Sequence, residues 1–447
     1  KKKKKANTDV LIIDASRGFV KEGKNNKLRA SDIKKIVDVV TRRECVEKFS
    51  RVVSRDEIRG NDYNLNIPRY VDSSEQAESW DIYASMFGGL PISEINELKE
   101  YWIAFPTLKT ALLEKTEGEY SRIVVTDIKK AVKEHECVQE FEKSFKDAFG
   151  NFDDYLYNEL IIKMDTLGIS KAEEVLSLDI FARLKDIPLV DKYEAYQLLD
   201  DDWIKIAIDL EIIKTEGFEA TKFVDPNMVV KKKGNSEQEV QEGWKGRIIP
   251  FDLVQNTLLL DEKQRVLKKE NRLSEITSKY KELFDMLNEE EKEADYVNED
   301  SFVFAEVKKA LKNKDIEPET KEKLKAVEAL NTEEKALKSE VKKESALLEE
   351  KTKETIESLS DEQVRQLLKE KWIHPLIQNL MQLPDRIVYE LVAKLEALAK
   401  KYETTFAEIE SQIEKTEKKL SSMIDDLEAG EFDMRGLYEL KKLLGGE

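Results

Sequence analysis

Beyond residue 255 the chain is written in heptads. Leu273, Ile276, Tyr280, Leu283 and Leu287 alternate three and four apart, and Leu259 and Val266 carry the sevenfold spacing upstream, all within a background of Lys and Glu. A narrow apolar seam of this kind is buried only against another helix, so it predicts coiled-coil packing. Leu337, Val341 and Leu348 in a second charged run supply the returning arm of an antiparallel helical hairpin, with Asn288 to Thr320 as the crossing region. A last series runs Leu391, Leu395, Leu398, Tyr402, Phe406, Ile409, Ile413, Thr416, Leu420, Met423 and Leu427, with one 4-4 step at Tyr402 that reads as a stutter unwinding the supercoil. Neither stretch repeats the other, so this is not a repeat protein. Only 16 Gly and 9 Pro interrupt 447 residues, 38% of which are charged, a balance that favours long solvated helices. The 40% apolar content is still enough for real cores.

Charge is distributed unevenly. Residues 1 to 70 hold 19 Lys and Arg against 10 Asp and Glu, a surplus of +9, so the rest of the chain carries −27 of the total −18. An evenly nucleic-acid-binding surface is excluded, since neutralising phosphates requires a basic surplus, but a local basic face is not. The opening Lys1 to Lys5 run is a solvated connection, a cloning remnant or a basic arm. Two cysteines 92 positions apart, Cys45 and Cys137, form neither a disulfide framework nor a metal-ligand spacing and suit a reducing compartment. No apolar run reaches the roughly 20 residues that span a bilayer, and Val10 to Ile13 is too short for a signal-peptide core. The expectation is a cytoplasmic protein with no membrane partner.

The first 70 residues read differently from the remainder. Val10-Leu-Ile-Ile13 predicts a buried strand opening into a polar loop at Asp14-Ala-Ser16. Ser31 is the expected N-cap of a helix with Asp32 in its first turn and Ile33, Ile36, Val37 and Val40 on one apolar face. Val52, Val53 and Ile58 suggest a further strand and turn. The block Asn61-Asp-Tyr-Asn-Leu-Asn-Ile-Pro-Arg-Tyr70 is rich in hydrogen-bonding side chains, and Pro68 excludes a helix interior. From about 73 to 250 the pattern is largely helical, with a small β-containing insert near 220 to 250 marked by Met228-Val-Val230, Gly234-Asn235 and Gly243-Trp-Lys-Gly246.

Chemistry is signalled mostly by absences. Of two histidines, His135 in Glu134-His-Glu-Cys137 has its Cys two residues on, facing another side of a helix, and His374 beside Pro375 reads as an ordinary partly buried imidazole. No Ser/His/Asp or Cys/His constellation can be built from so few histidines. Neither G-x-G-x-x-G nor a P-loop occurs.

Four blocks in order carry a resemblance. Asp9-Val-Leu-Ile-Ile-Asp-Ala-Ser16, then Phe19-Val-Lys-Glu-Gly-Lys-Asn-Asn26, then Ser50-Arg-Val-Val-Ser54 with Glu57-Ile58, then Asn61 to Asp72 resemble the end of the catalytic domain of a modification (M) subunit from a type I restriction-modification system. Gly88-Gly-Leu-Pro91, Tyr101-Trp102 and Phe105-Pro106 resemble the helical region that follows in that family, and the final heptads look like its long-tailed members. The resemblance implies transfer of a methyl group from S-adenosylmethionine to adenine N6 in DNA. The implied partners are a specificity subunit that selects the target, a second M subunit and DNA; the presence of a restriction subunit stays open.

In that family a glycine loop binds the cofactor and an Asn-Pro-Pro-Phe-type tetrapeptide holds the flipped adenine. This sequence contains no Pro-Pro, and no glycine pair precedes Gly88-Gly89. The chain is therefore expected to be the C-terminal portion of an M subunit, with no catalytic or cofactor-binding residue of its own, and to be inactive alone, because a flipped base needs a complete pocket. The implied architecture is mainly α: a truncated end of a Rossmann-like α/β domain (1–72), a mainly helical domain (73–254), a coiled-coil hairpin (255–360) and C-terminal helices with a heptad seam (361–447). Asn61, Tyr63, Asn64, Asn66 and Arg69 are the candidate pocket-lining or DNA-contacting residues. Arg69 would meet a phosphate and Tyr63 would stack on a base; the competing reading is a structural loop whose Asn side chains satisfy backbone groups. The alternative for the whole chain is a stand-alone coiled-coil scaffold that keeps a degenerate strand-helix module.

Overall fold

The computed structural model describes residues 9–73, 79–116, 118–233, 236–313, 316–427 and 430–444. The Lys1 to Lys5 run and the Gly234-Asn235 turn lie outside them. The chain is mainly helical, with a few small sheets. It divides into two compact units, one of Lys1–Tyr155, Ser170–Ile204 and Leu376–Glu447, the other of Leu156–Ile169 and Lys205–Pro375.

The first unit begins with β1 (Val10–Ile13), the hairpin β2 (Val20–Glu22) and β3 (Asn25–Lys27), helix α1 (Ala30–Arg42), β4 (Ser50–Val53) and helix α2 (Arg55–Gly60). Strands β1 and β4 pair antiparallel from Val10 opposite Val53 to Ile13 opposite Ser50. The apolar tetrad is less buried than its composition predicts: only Ile12 is fully covered and Val10 is exposed. Alternation puts Val10 and Ile12 on one face and the half-buried Leu11 and Ile13 on the other, so the core takes the middle of this strand and not its start. Ile12, Val53, Ile58, Tyr70 and Val71 form the core of this module. Ile58 reaches it from α2, a helix where a turn was expected, capped by Ser54 Oγ accepting from the Glu57 amide at 3.2 Å.

Helix α1 corrects two expectations. Its cap lies two residues upstream of Ser31, because Asp32 accepts from the Arg29 amide (2.9 Å) and from the Arg29 guanidinium (3.1 Å at both oxygens). Ser31 is inside the first turn, buried, with its amide donating to Gln197 Oε1 at 3.0 Å. The side of the helix turned inward is mixed: Val39 and Ser31 are buried and Ile36 half-buried, while Tyr193 donates to Asp38 (3.3 Å) and Lys35 Nζ stands 4.7 Å over the Phe49 ring. Of the face expected to be core, only Ile36 is half-buried; Ile33, Val37 and Val40 are 50–52% exposed.

Within 73 to 250, β5 (Leu90–Pro91), β6 (Leu113–Lys115) and β7 (Tyr120–Ile123) form an antiparallel sheet in the order β5-β7-β6 that the helical periodicity did not show. Gly89 enters it at φ +94, where a Cβ would stand 3.3 Å from Tyr120 Cβ, so both backbone and space demand glycine. Beside the sheet lies the main core of this unit, in which Tyr101, Phe105, Leu108 and Phe141 pack with Leu391, Leu395 and Leu398 of the helix Leu383–Lys401. That helix stops at Tyr402. The hydroxyl of Tyr402 accepts from the Asp81 amide (3.0 Å) and donates to Glu94 (2.5 Å), and a new helix, Phe406–Asp425, starts from a Thr405/Glu408 capping box. The 4-4 step is therefore a helix break, not a stutter in a continuous coil. Beyond it Ser421 and Ile424 are buried, while Phe406, Ile409, Ile413, Leu420 and Met423 are exposed.

In the second unit the helices Leu260–Asp285 and Pro318–Glu357 run antiparallel. Their direction is fixed by Arg272 paired with Glu333 (2.7 Å), Lys269 with Glu340 and Glu344 (2.6 and 2.8 Å), and Lys351 with Glu262. Val266, Ile276 and Leu348 are buried, and Leu287, Tyr296, Phe302, Val307, Leu324 and Val327 close a core at one end of the pair. The 220–250 stretch is the hairpin β8 (Val224–Lys233) and β9 (Ser236–Gly246), bulged between Pro226 and Met228. Buried Asp209 accepts from Trp372 Nε1 (2.8 Å) and from Lys371 Nζ (2.5 Å), and that ammonium also donates to the Ile248 carbonyl (2.6 Å). Among the described residues no helix is long and apolar enough to cross a membrane.

Candidate functional site

The Asn61 to Tyr70 block is built mainly from backbone hydrogen bonds. Helix α2 ends as the Asn61 amide donates to the Glu57 carbonyl (3.1 Å), and Asp62 and Tyr63 follow at φ +53 and +58. Two consecutive non-glycine residues in the left-handed region are uncommon and store strain. The turn is held by the Tyr63 amide donating to the Ile58 carbonyl (2.9 Å) and by the Asn66 amide donating to Asn64 Oδ1 (2.9 Å), an Asx turn. Ile67–Arg69 is one 3-10 turn with Pro68 near its start, where no amide is needed. Tyr70 is the anchor: its ring is buried and its hydroxyl donates to the Asn64 carbonyl at 2.6 Å.

The five candidate residues divide accordingly. Asn64 serves the loop itself through its side chain and carbonyl, and Asn61 through its backbone. Tyr63 is 62% exposed, with its hydroxyl 3.4 Å from Arg59 Nε, and Asn66 and Arg69 are exposed as well. They form an outward edge with one aromatic ring and one guanidinium. Such an edge can stack on a base and meet a phosphate, but exposed side chains do not enclose S-adenosylmethionine.

The end of the block closes onto the end of β1. Ser73 Oγ donates to Asp14 Oδ2 at 2.5 Å, and the Ser16 amide donates to Asp14 Oδ1 at 3.0 Å. These hydrogen bonds, Ser16 first and Ser73 next, hold the Asp14 carboxyl below the usual carboxylate range. Asp14 and Ser73 also line a cleft of about 360 Å³ that includes Arg17, Arg29, Asp32, Lys35, Phe49 and Tyr193 but none of the five candidates. Its acidic and basic side chains balance, and Arg29 is already committed to Asp32. Only tertiary folding brings Tyr193 there, so no local signal could have pointed to it.

The histidines resolve into structural roles. His135 is not on a helix face; it caps the helix Glu136–Ala148, with Nδ1 accepting from the Cys137 amide at 3.3 Å. His374 Nδ1 lies 2.5 Å from Glu370, one helical turn away. Among the described residues no group of three His, Cys, Asp or Glu could hold a metal ion.

Residues 1–79, which contain β1 to α2 and the whole candidate loop, match the N-6 DNA Methylase family model. The curated relatives of this stretch are more specific. The methylase subunit of the type I restriction enzyme MpnII of Mycoplasma pneumoniae is 38% identical over 82 residues, 18% of this chain and 15% of that protein. The MjaVII and MjaVIII methylase subunits of Methanocaldococcus jannaschii are 46% identical over 76 residues (16% of this chain, 13% of theirs) and 36% identical over 109 residues (24% and 18%). The likeness to type I modification subunits first drawn from residues 9 to 72 is therefore borne out for this opening segment. The chain spans less than one fifth of the length of these relatives. No solved structure matches it.

Proposed function

We propose that this chain is the C-terminal part of a type I modification subunit and works in assembling a site-specific adenine-N6 DNA methyltransferase rather than in the chemistry itself. The match of residues 1–79 to N-6 DNA methylases, in a sequence with no Asn-Pro-Pro-Phe-type tetrapeptide, carries this reading. Residues 1–72 are the end of a Rossmann-like catalytic domain whose cofactor and adenine pockets are made by other residues. The Tyr63, Asn66 and Arg69 edge contacts DNA or the pocket rim. The helices with heptad seams, in the part of the chain that carries the acidic surplus, dock to protein: a specificity subunit and, through it, a second modification subunit. In the assembled enzyme S-adenosylmethionine supplies the methyl group, and the setting is cytoplasmic.

Co-expression with a type I specificity subunit tests the assembly role. The expected result is a stable complex that survives 0.5 M salt; a chain that stays alone under those conditions contradicts it. Calorimetric titration of the isolated chain with S-adenosylmethionine should give no saturable heat.

A further inference from the structure

The core that closes one end of the antiparallel pair Leu260–Asp285 and Pro318–Glu357 comes to the surface in a cleft of about 860 Å³. Phe302, 7% exposed, is its floor, and Tyr280, Phe284 and Phe304 are half-buried walls. The rings are fixed in pairs. Tyr280 lies 5.4 Å from Phe304, Phe284 stands 6.1 Å edge-on to Phe302, and the Tyr280 hydroxyl donates to Glu334 at 2.9 Å. A ligand therefore meets walls that are already ordered.

Two carboxylates also line the cleft. Asp285 ends the first helix, and Asp300 sits in the tight turn between Val297–Asn298 and Ser301–Phe302, where Glu299 takes φ +52 and Ser301 Oγ donates to the Asn298 carbonyl at 3.0 Å. They belong to a wider field: Glu282 to Glu306 holds ten Asp and Glu and a single Lys. Glu289, Glu291 and Glu306 are paired with Lys292, Lys323 and Lys309 (3.5, 3.3 and 2.7 Å). Asp285 and Asp300, with Glu282, Glu290, Asp295 and Glu299, are exposed and have no ion-pair partner among the described residues. Lys292 Nζ stands 5.9 Å from the Phe284 ring centroid, so a cation over these rings is an arrangement the chain already makes.

We infer that this cleft is the docking site for a Lys- or Arg-rich segment of a partner protein, one that carries an apolar side chain among its basic ones. The apolar side chain enters between the rings onto Phe302, while flanking ammonium or guanidinium groups meet Asp285 and Asp300 and lie over ring faces. Charge complementarity selects this occupant. A single small cation would use only the two carboxylates of the cleft, whereas the unpaired acids beyond it are engaged only by a ligand that extends past its mouth. The same field repels phosphate and so rejects nucleic acid. Lys281, the one basic lining residue, does not cancel the two carboxylates. The cleft lies outside residues 1–79 and within one compact unit, so it stands independently of the methylase reading.

The test is fluorescence anisotropy of the full chain with a labelled synthetic peptide of about 12 residues in which Phe and Leu alternate with pairs of Lys. Saturable binding is expected, weakening at least about 10-fold between about 0.1 and 0.5 M salt. Hydrogen-exchange protection should appear at residues 277–304 and not at helix Asp361–Leu368. Two control peptides, with Glu in place of every Lys and with Ser in place of Phe and Leu, should each bind at least about 10-fold more weakly. The double variant Asp285→Lys, Asp300→Lys should weaken the parent peptide at least about 10-fold and leave the melting temperature within about 2 °C, since both side chains are exposed. If it melts lower, the exchange footprint on the unaltered chain decides. A Ser peptide that binds as tightly as the parent shows attraction to charge without a cleft, and overturns the inference. Protection confined to another surface, binding indifferent to the double variant, or no saturable binding does the same. A chain that self-associates, and becomes monomeric in the double variant, assigns the cleft to a second copy and also overturns it.

Discussion

Replacing Tyr70 tests whether one anchor holds the candidate loop. Its ring belongs to a core of five buried residues, and its hydroxyl bonds the Asn64 carbonyl at 2.6 Å across the loop. Tyr70→Phe removes that hydrogen bond and nothing else, at a cost of about 1 kcal/mol. Tyr70→Ala also empties the ring volume, and with so few neighbours to close the gap the loss is about 3–5 kcal/mol. Because each 1.4 kcal/mol is a factor of about ten, Phe should speed amide exchange of residues 61–71 about 3- to 10-fold and Ala by more than 100-fold. Hydrogen exchange read by mass spectrometry on that peptide, with helix Pro318–Glu357 as an internal reference that stays unchanged, makes the measurement. Equal effects of Phe and Ala would show that the hydroxyl alone matters. No effect of Ala would refute the anchor and return the loop to its own turn chemistry.

Other outcomes follow from the same structure. Asp209→Ala strips the partner from buried Trp372 Nε1 and from Lys371, so urea unfolding should lose about 3 kcal/mol, and a loss below about 1 would contradict the pairing. Arg272→Met between the antiparallel helices should cost under about 1 kcal/mol, because the Glu333 pair is partly exposed, and a double-mutant cycle with Glu333→Gln checks the coupling. The Asp14 carboxyl is depressed in the folded chain, so its contribution is present above about pH 4 and is lost as pH falls through its lowered value. Asp14→Asn should therefore flatten the acid limb of stability, followed by exchange at residues 9–16. Gly89→Ala, at φ +94 and tight against Tyr120, should destabilise by more than about 1 kcal/mol in thermal melts.

What was legible in the sequence was local. The spacing of Ile33, Ile36, Val37 and Val40 located a helix, and Pro68, barred from a helix interior, sits in a single 3-10 turn near its start. Which face of α1 is buried was not legible, because periodicity reports a stripe and not the partner that covers it. The cap at Arg29 was hidden for a related reason: Ser31 has the better intrinsic preference, but the reciprocal Asp32 bonds win. The strand at Tyr120–Ile123 carried a β-branched signal in Ile123-Val-Val125 that the surrounding helical pattern masked. At the site, the turn-forming duty of Asn64 follows from its side-chain chemistry, whereas the buried anchor, Tyr70, lay at the margin of the block. The resemblance placed the loop in a family; only the folded chain separated residues that build it from those it presents outward.

The most direct measurement is methyl transfer from labelled S-adenosylmethionine to duplex DNA. This chain, alone or with a specificity subunit, should give no incorporation, and incorporation into adenine N6 should appear once a catalytic methylase segment is added. Methylation of adenine by this chain without that segment would contradict its assignment to assembly rather than chemistry.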